Sequence, residues 1–201
     1  MKIICIGRNY AKHAQELNNA VPDSPVVFMK PTTALLANDK PLYFPEFTND
    51  LHYEVELVVK ICKNGRHVQP EFAHEYYDEV TLGIDFTARD LQDQCKEKRH
   101  PWEIAKGFDH SAAVGQWSKI KKDIQDINFT LKKNDEIVQS GYTGDMLFKV
   151  NDIIVYVRQF FKLQMGDMIF TGTPEGVGPV AIGDTLEAEL EGEKVLHTDI
   201  K

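Results

Sequence analysis

The sequence predicts a mixed α+β domain that is built mainly from antiparallel strands. Many short apolar runs are rich in Val, Ile and Phe and are bounded by Gly, Pro or Asn, which is typical of β-strands. Segments of helical composition are few, and they do not alternate with strands in the regular order of a doubly wound sheet. A chain of 201 residues can bury one substantial core. We therefore expect a single domain over residues 1–201.

The N-terminal half is expected to begin with a strand at residues 3–6, which Gly7 ends. Helices are expected at residues 10–17, 70–77 and 87–98, the first ended by Asn18 and Asn19 and the last before Pro101. Residues 20–25 form a loop, and strands are expected at residues 26–29 (buried), 51–59 and 80–84. Asn64 and Gly65 predict a tight hairpin turn after the strand at residues 51–59.

The C-terminal half is expected to be mostly β-structure. Strands at residues 126–132 and 135–139 should form a hairpin, and residues 150–161 should form a helix. A strand at residues 167–170 leads into a glycine-rich turn at residues 171–179. The final pair of strands is expected around the turns Gly183-Asp184 and Glu191-Gly192.

Composition excludes several classes of protein. The formal net charge of −8 argues against nucleic acid as a partner, because phosphate binding needs a basic face. Cys5, Cys62 and Cys95 lie far apart, so neither a zinc cluster nor a disulfide framework is indicated. No apolar run has the length of a membrane span, and the N-terminal one is a short strand. We expect a soluble, unprocessed cytoplasmic protein with no membrane partner.

Three carboxylates are the strongest indication of an active site. Glu54 and Glu56 are two residues apart in a strand-like segment, so their side chains should project from the same face. Parallel carboxylates repel each other unless a cation lies between them. Asp85 follows another apolar run, and three oxygen ligands of this kind suit a hard divalent cation such as Mg²⁺ or Mn²⁺.

Arg89 and Gln92 follow Asp85 at helical spacing and should share one face of a helix. An arginine fork near a metal can bind a substrate carboxylate, and the glutamine amide can hold a second oxygen. A surface helix in which Arg89 pairs with Asp90 is the alternative interpretation of this spacing.

Lys106 lies between apolar residues, and its partial burial would provide a cation that stabilises an enolate or a carboxylate. The alternative is a lysine that extends into solvent. Thr173 lies in the glycine-rich turn, which lacks a Walker pattern but could bring backbone N–H groups and a hydroxyl to a small anion. A turn without a ligand is the alternative there.

His13 and Glu16 are three residues apart on a predicted helix, so the carboxylate could orient the imidazole and raise its basicity. A general base that takes a proton from water needs this arrangement. Such pairs also occur on ordinary helix surfaces, and spacing alone does not exclude that interpretation.

Together these segments resemble the fumarylacetoacetate hydrolase superfamily, and the resemblance covers nearly the whole chain. Five motifs stand in the family's order: Gly-Arg-Asn-Tyr-x-x-His-x-x-Glu at 7–16, Phe-x-Lys-Pro at 28–31, His-Tyr-Glu-x-Glu-Leu at 52–57, Gly-x-Asp-x-Thr-Ala-Arg-Asp-x-Gln at 83–92 and Gly-Thr-Pro-x-Gly-Val-Gly at 172–178. The resemblance implies a mixed, mainly antiparallel β-roll with few short helices, assembled as a homodimer.

The resemblance also implies roles for individual residues. Glu54, Glu56 and Asp85 would bind Mg²⁺ or Mn²⁺, with Ca²⁺ as a further candidate. The substrate's oxoacid end would be bound by Arg8, Arg89, Gln92, Lys106 and Thr173. His13 and Glu16 would lie on a lid that becomes ordered when substrate binds, and there they would activate a water molecule. Lys106 would also stabilise charge during the reaction.

The activity implied by the resemblance is a metal-dependent reaction of small 2-oxo or 1,3-dicarbonyl acids. We expect hydrolysis of a carbon–carbon bond in a 3-acylpyruvate or fumarylpyruvate, through a metal-chelated enolate. Decarboxylation or keto–enol tautomerisation (an isomerase reaction) of oxaloacetate at the same site is the alternative. A metabolite-binding module with a structural cation is the non-enzymatic alternative.

Overall fold

The structure, a computed structural model, describes residues 1–17 and 20–201, and all structural statements below refer to these residues. Its α-helices are α1 (Ala11–Glu16), α2 (Arg89–Lys98), α3 (Glu103–Lys106) and α4 (Val150–Val157). Its strands are β1 (Ile3–Gly7), β2 (Val26–Lys30), β3 (Leu35–Ala37), β4 (Leu51–Tyr53), β5 (Val55–Ile61), β6 (Tyr77–Asp85), β7 (Thr87–Ala88), β8 (Ala112–Val114), β9 (Ser118–Lys119), β10 (Asn128–Lys133), β11 (Glu136–Tyr142), β12 (Met168–Phe170), β13 (Gly178–Pro179), β14 (Thr185–Leu190) and β15 (Glu193–Asp199).

The largest sheet has the strand order β2-β1-β12-β5-β6-β8-β3, and β9 also pairs with β6. The pairs β1–β12 and β3–β8 are parallel, whereas β1–β2, β5–β12, β5–β6, β6–β8 and β6–β9 are antiparallel. Antiparallel neighbours need no helical crossover, which is consistent with the short helices of this chain. The predicted mixed, mainly antiparallel α+β fold is therefore confirmed.

Two smaller sheets pack beside the large one: β11-β10-β14-β15 and β13-β4-β7. A continuous apolar cluster joins the large sheet to the others through fully buried side chains such as Leu57, Leu82, Phe129, Ile154 and Leu186. Burial of such large apolar side chains is the main favourable term in folding. The junction of these sheets is therefore a rigid place for functional side chains.

Two predicted hairpins in the C-terminal half are confirmed. β10 and β11 pair through a turn at Asn134 and Asp135, which both have positive φ (52° and 67°). Asn and Asp tolerate this left-handed backbone better than most residues, and hairpin turns require it. β14 and β15 pair through Glu191 and Gly192, which also have positive φ.

The turn predicted at Asn64 and Gly65 is wrong as a tight hairpin. β5 and β6 do pair, but residues 62–76 connect them and include a 3₁₀ helix, Pro70–Tyr76, at the place of the short helix predicted at residues 70–77. Gly65 instead forms an isolated bridge with Leu163. A distant segment supplies the hydrogen bonds of this glycine, which local turn propensity does not reveal.

Several element boundaries also differ from the prediction. The strand predicted at residues 51–59 is interrupted at Glu54, and the helix predicted from residue 87 begins at Arg89 because Thr87 and Ala88 pair with β4. β2 is half-buried rather than buried, since it lies at a sheet edge. The last predicted helix ends at Val157, and the predicted helix end at Asn18 and Asn19 lies outside the described residues.

Within residues 1–17 and 20–201, the structure contains no helix with the length and apolar character that a membrane crossing requires.

Candidate active site

Three carboxylates meet where β4 gives way to β5. Glu54 occupies the break, Glu56 lies on β5, and Asp85 ends the neighbouring strand β6. The backbone N–H of Asp85 donates to the carbonyl of Glu54 at 2.8 Å, which fixes the relative positions of the two strand ends. One oxygen from each side chain lies within 4.8 Å of the others, and all three residues are buried. The structure thus brings together the predicted metal ligands.

Two cations pair with Glu54. Lys106 Nζ lies 2.8 Å from Glu54 Oε2, and Arg89 Nη2 lies 2.5 Å from Glu54 Oε1. Burial alone would raise the pKa of Glu54, but the charges of Lys106 and Arg89 outweigh burial and hold this pKa well below its usual range. Arg89 Nη1 also donates to Gln92 Oε1 at 2.6 Å. Arg89 and Gln92 therefore lie together in the site on the first turns of α2, while Asp85 belongs to a strand and not to that helix.

Lys106 lies at the C-terminal end of α3 and is only 3% exposed, so it does not extend into solvent. Besides Glu54, its Nζ contacts Asp85 Oδ2 at 2.8 Å and Thr87 Oγ1 at 2.5 Å. Burial lowers the pKa of Lys106, but Asp85 and Glu54 reverse this effect and leave the pKa above its ordinary value. Lys106 is therefore a positive charge at the centre of the site.

Lys30 is a site residue whose role no sequence pattern indicated, although it belongs to the Phe-x-Lys-Pro motif. Its Nζ lies 2.7 Å from Asp85 Oδ1 and donates to Ser111 O and Oγ at 2.9 and 3.0 Å and to Lys106 O. Lys30 thus connects β2 to the end of α3 at Lys106 and to Ser111 in the loop that follows. Lys30 belongs to the edge strand β2, where a lysine usually faces solvent, so the sequence did not indicate that it is buried beside Asp85.

Glu56 differs from Glu54 because it forms no ion pair within the described residues. Its Oε2 accepts one hydrogen bond, from the Gly172 backbone N–H at 2.7 Å. Burial, and next the charge of Asp85, raise the pKa of Glu56 well above its usual range. A buried carboxylate that faces two others is stabilised in its ionised form by a nearby cation.

Asp85 provides a second reason to expect a cation. Its Oδ1 is buried and lies 2.7 Å from Lys30 Nζ, but among residues 1–17 and 20–201 it receives no well-aligned hydrogen bond. This oxygen keeps lone pairs available in a buried site. Hard carboxylate oxygens are the ligands that Mg²⁺, Mn²⁺ and Ca²⁺ prefer, so the residues present fit a divalent cation.

His13 and Glu16 form the predicted pair on α1. His13 Nδ1 lies 3.4 Å from Glu16 Oε2, and the Gly176 backbone N–H donates to Glu16 Oε1 at 3.0 Å. Gly176 has φ of +94°, and a Cβ there would lie 2.4 Å from the Val138 carbonyl oxygen, so the turn requires glycine. When the Nδ1–H group donates a hydrogen bond to Glu16, Nε2 carries no proton and is the basic nitrogen.

The His13 imidazole is 5% exposed. Burial lowers its pKa below the ordinary value of 6.5, and the carboxylates of Glu54 and Glu16 offset this only in part. The imidazole is therefore neutral at pH 7, which is the state that accepts a proton.

Thr173 lies in the glycine-rich turn, and Gln139 positions it. Gln139 Nε2 donates to Thr173 Oγ1 at 2.9 Å and to Pro174 O at 3.0 Å, while Gln139 Oε1 accepts from the Val55 N–H at 2.9 Å. Since the threonine oxygen accepts from Gln139, its own O–H is free to donate to a bound oxygen. Gln139 belongs to β11 of the four-stranded sheet, and its sequence position carried no indication of this role.

We predict that Gln139→Leu disturbs both the turn and the segment that carries Glu54 and Glu56. The buried Val55 N–H, between Glu54 and Glu56, would lose its partner, at a cost of about 1–3 kcal/mol in the free energy of unfolding. Displaced ligands should also lower kcat/KM by about tenfold or more. Urea unfolding and steady-state kinetics measure the two effects. Gln159→Leu, at an exposed site outside the cavity lining, is the control, and equal behaviour of the two variants would contradict the assigned role.

One cavity of about 30 Å³ collects these groups. All predicted site residues except Glu16 line it: Arg8, His13, Glu54, Glu56, Asp85, Arg89, Gln92, Lys106 and Thr173. Glu16 lies behind His13, where an orienting group belongs. Lys96 and apolar side chains, including Phe28 and Trp102, form most of the remaining wall. The arrangement can bind a small anion beside three carboxylates and present a neutral base to it.

Comparisons with known proteins agree with this geometry. The family profile described as "Fumarylacetoacetate (FAA) hydrolase C-terminal" matches residues 2–201. The chain is 42% identical to the mitochondrial oxaloacetate tautomerase of Bos taurus and 43% identical to that of Homo sapiens, in each case over 94% of this chain and 87% of the relative.

Among solved structures, fumarylpyruvate hydrolase from Pseudomonas aeruginosa in complex with Mn²⁺ and pyruvate is 34% identical, with a TM-score of 0.93 over 100% of this chain and 89% of that one. A second similar structure, from Oleispira antarctica, has a TM-score of 0.94 and 38% identity over 100% of this chain and 93% of the other. With a matching profile over almost its whole length and relatives above 40% identity, the chain belongs to the fumarylacetoacetate hydrolase family.

Proposed function

We propose that this protein is a divalent-metal-dependent enzyme that catalyses keto–enol tautomerisation of oxaloacetate. The observation that carries the proposal is the placement of a buried, neutral His13 in the same small cavity as the carboxylates Glu54, Glu56 and Asp85. The similarity to oxaloacetate tautomerases supports tautomerisation over the hydrolysis that motif content alone favoured.

Glu54, Glu56 and Asp85 would hold the cation, which would draw electron density from the keto oxygen of a chelating 2-oxoacid and so acidify the adjacent carbon. Arg89, Gln92 and the Thr173 hydroxyl bind the oxoacid end. His13 Nε2 takes a proton from C3 of the keto form, and the imidazolium then protonates the oxygen that has gained the electrons. Glu16 stabilises the imidazolium, and Lys106 adds positive charge where negative charge develops.

Hydrolysis of a fumarylpyruvate-type substrate is the second candidate. A neighbouring cavity of about 300 Å³ shares Phe28, Trp102 and Lys106 with the first cavity and provides room for a longer substrate. In that reaction His13 takes a proton from water, the water oxygen attacks the distal carbonyl, and the carbon–carbon bond electrons form the enolate of pyruvate. The His13 imidazolium then returns a proton to C3 of this enolate. The similarity to fumarylpyruvate hydrolase supports this alternative.

A turnover screen distinguishes these activities. Purified protein would be treated with EDTA and assayed with oxaloacetate, fumarylpyruvate and an acylpyruvate, each without metal and with Mg²⁺, Mn²⁺ or Ca²⁺. Loss of enol absorbance that is faster than decarboxylation supports the tautomerase, whereas pyruvate release from fumarylpyruvate supports the hydrolase. Absence of turnover with every substrate would contradict both and favour a metabolite-binding module.

His13→Ala tests the proposed base. Turnover should fall by about 10²- to 10⁴-fold, the usual contribution of a general base, while oxalate binding to the metal-loaded protein changes little. In the wild-type protein, kcat/KM should be level near pH 7 and decline on acidification only below pH 6.5, since burial lowers the His13 pKa and protonation removes the base. An acid limb above pH 6.5, or equal loss of turnover and oxalate binding in His13→Ala, would contradict this role.

We also propose that the protein acts as a homodimer, as the resemblance to the family implies. We propose further that it lies in the cytoplasm, a reducing compartment that suits its three unpaired cysteines. Light scattering of the purified protein would test the assembly.

A further inference from the structure

Two cations of the active-site cavity, Arg8 and Lys96, take no part in the reaction steps given above, although the family resemblance implies that Arg8 binds substrate. Arg8 follows β1 in a left-handed conformation, with φ of 59°, and lines the cavity. Lys96 lies on α2 and lines the same cavity. Lys96 is four residues after Gln92 and seven after Arg89, so the three side chains share one helix face. The face that presents the substrate-binding residues therefore continues to Lys96.

The charges of Arg8 and Lys96 are not balanced inside the cavity. Glu54 and Asp85 already pair with Lys30, Lys106 and Arg89, and in the described part of the chain the third carboxylate, Glu56, forms no ion pair with Arg8 or Lys96. Within residues 1–17 and 20–201, Arg8 forms no ion pair. The ion-pair partner of Lys96 is Asp93, one turn earlier on α2, at 3.3 Å, and the Asp93 side chain is 65% exposed.

The surroundings of Lys96 show the same excess of positive charge. Burial lowers the pKa of Lys96, Asp93 offsets this only in part, and the charges of Arg89 and Arg8 lower the pKa further. A half-buried ammonium beside two guanidinium groups gains stability from an additional anion. The proximal carboxylate of a 2-oxoacid would lie with the deeper groups Arg89 and Thr173, which leaves Arg8 and Lys96 available for a second anion.

We propose that Lys96 and Arg8 bind the second carboxylate of a 2-oxo dicarboxylic acid and thereby select dianionic substrates over acylpyruvates with neutral chains. This inference rests on the proposed function for the identity of the proximal subsite. Leu17, Phe28 and Trp102 line the same cavity and would contact the carbon chain between the two charged ends. A neutral chain would leave two partly desolvated cations without a partner, which disfavours its binding.

Binding to the Mn²⁺-loaded full-length protein tests the proposal independently of turnover. The probes are 2-oxoglutarate and 2-oxobutanoate, stable 2-oxoacids that differ by a terminal carboxylate. We expect the wild-type protein to bind 2-oxoglutarate more tightly in calorimetry. Lys96→Met should weaken 2-oxoglutarate binding by about 10- to 100-fold, the range of one charge-assisted hydrogen bond, and 2-oxobutanoate binding by less than about threefold.

Two further variants provide controls. Lys96→Arg keeps the charge and should restore most of the preference, which a merely structural role of Lys96 would not explain. Lys98→Met removes an exposed lysine of the same helix outside the cavity lining and should leave both affinities unchanged. Equal affinity of the wild-type protein for the two probes, or equal losses for both in Lys96→Met, would overturn the inference.

The result also separates this inference from the proposed function. A dicarboxylate preference that depends on Lys96, in a protein that does not turn over oxaloacetate or fumarylpyruvate, supports the subsite and refutes the activity. Turnover of oxaloacetate with the same kcat/KM in wild-type protein and Lys96→Met supports the activity and refutes the subsite.

Discussion

Replacement of Glu56 by Gln is expected to lower metal-dependent turnover by about a thousandfold or more, because cation-assisted charge stabilisation contributes several kcal/mol to such reactions. The amide keeps the size of the side chain and can still accept from the Gly172 N–H. It removes one of three anionic ligands. The fold should remain intact, since Glu56 has no ion pair to lose within the described residues.

Thermal unfolding provides a second measurement for Glu56→Gln. Without metal, the variant should unfold at the same temperature as the wild-type protein or higher, because burial and Asp85 disfavour the ionised Glu56 and raise its pKa. Added Mn²⁺ should raise the wild-type unfolding temperature by mass action and raise that of the variant much less. Glu193→Gln, at an exposed position, is the matched control. Full activity of Glu56→Gln with an unchanged response to Mn²⁺ would refute the metal assignment.

Lys106→Met is expected to have the second large effect, and it should damage both stability and activity. The methionine fills a similar volume but leaves Glu54 and Asp85 with one cationic partner each, Arg89 and Lys30. Removal of one member of a buried ion pair costs about 3–5 kcal/mol, and we expect a value of about 3 kcal/mol because the other partners remain. Turnover should become undetectable, since the ammonium also stabilises developing charge.

Urea unfolding at pH 7 measures this loss of stability. Lys119→Met is the control: its ion pair with Asp78 is also short, at 2.7 Å, but the lysine side chain is 64% exposed. An exposed pair of this kind contributes little to stability, because solvent screens its charges. Mn²⁺ should recover part of the stability of Lys106→Met, because a cation replaces some of the lost positive charge. If the two lysine variants lost similar stability, the central position of Lys106 would be wrong.

Local sequence was sufficient for most strands and for the residue types of the site. Alternating and continuous apolar runs identified the strands at β1, β6 and β12 because burial of those side chains drives their formation. Asn134-Asp135 and Glu191-Gly192 identified the two C-terminal hairpins, since positive φ is a property of the turn residues themselves. The i, i+3 spacing of His13 and Glu16 likewise predicted a contact within one helix.

Tertiary contacts decided what local patterns could not. Gly65 pairs with Leu163 and not across a hairpin, and Thr87 joins a strand because β4 provides a partner. Lys30 lies on the edge strand of the large sheet, and Gln139 lies in a different sheet. No spacing in the sequence therefore related them to the site residues Asp85 and Thr173, which they contact. These roles depend on hydrogen bonds between segments that are distant in sequence.

The three carboxylates show where sequence information ends for this protein. Their chemical type, and the repulsion between acids two residues apart in a strand-like segment, are properties of the sequence and are enough to indicate a divalent cation. Their charge states required the fold: Glu54 lies between Lys106 and Arg89, whereas Glu56, two residues away, faces other carboxylates. The physical reason is that a pKa depends on burial and on charges within a few ångströms, and in this site those charges come from β2, α2 and α3.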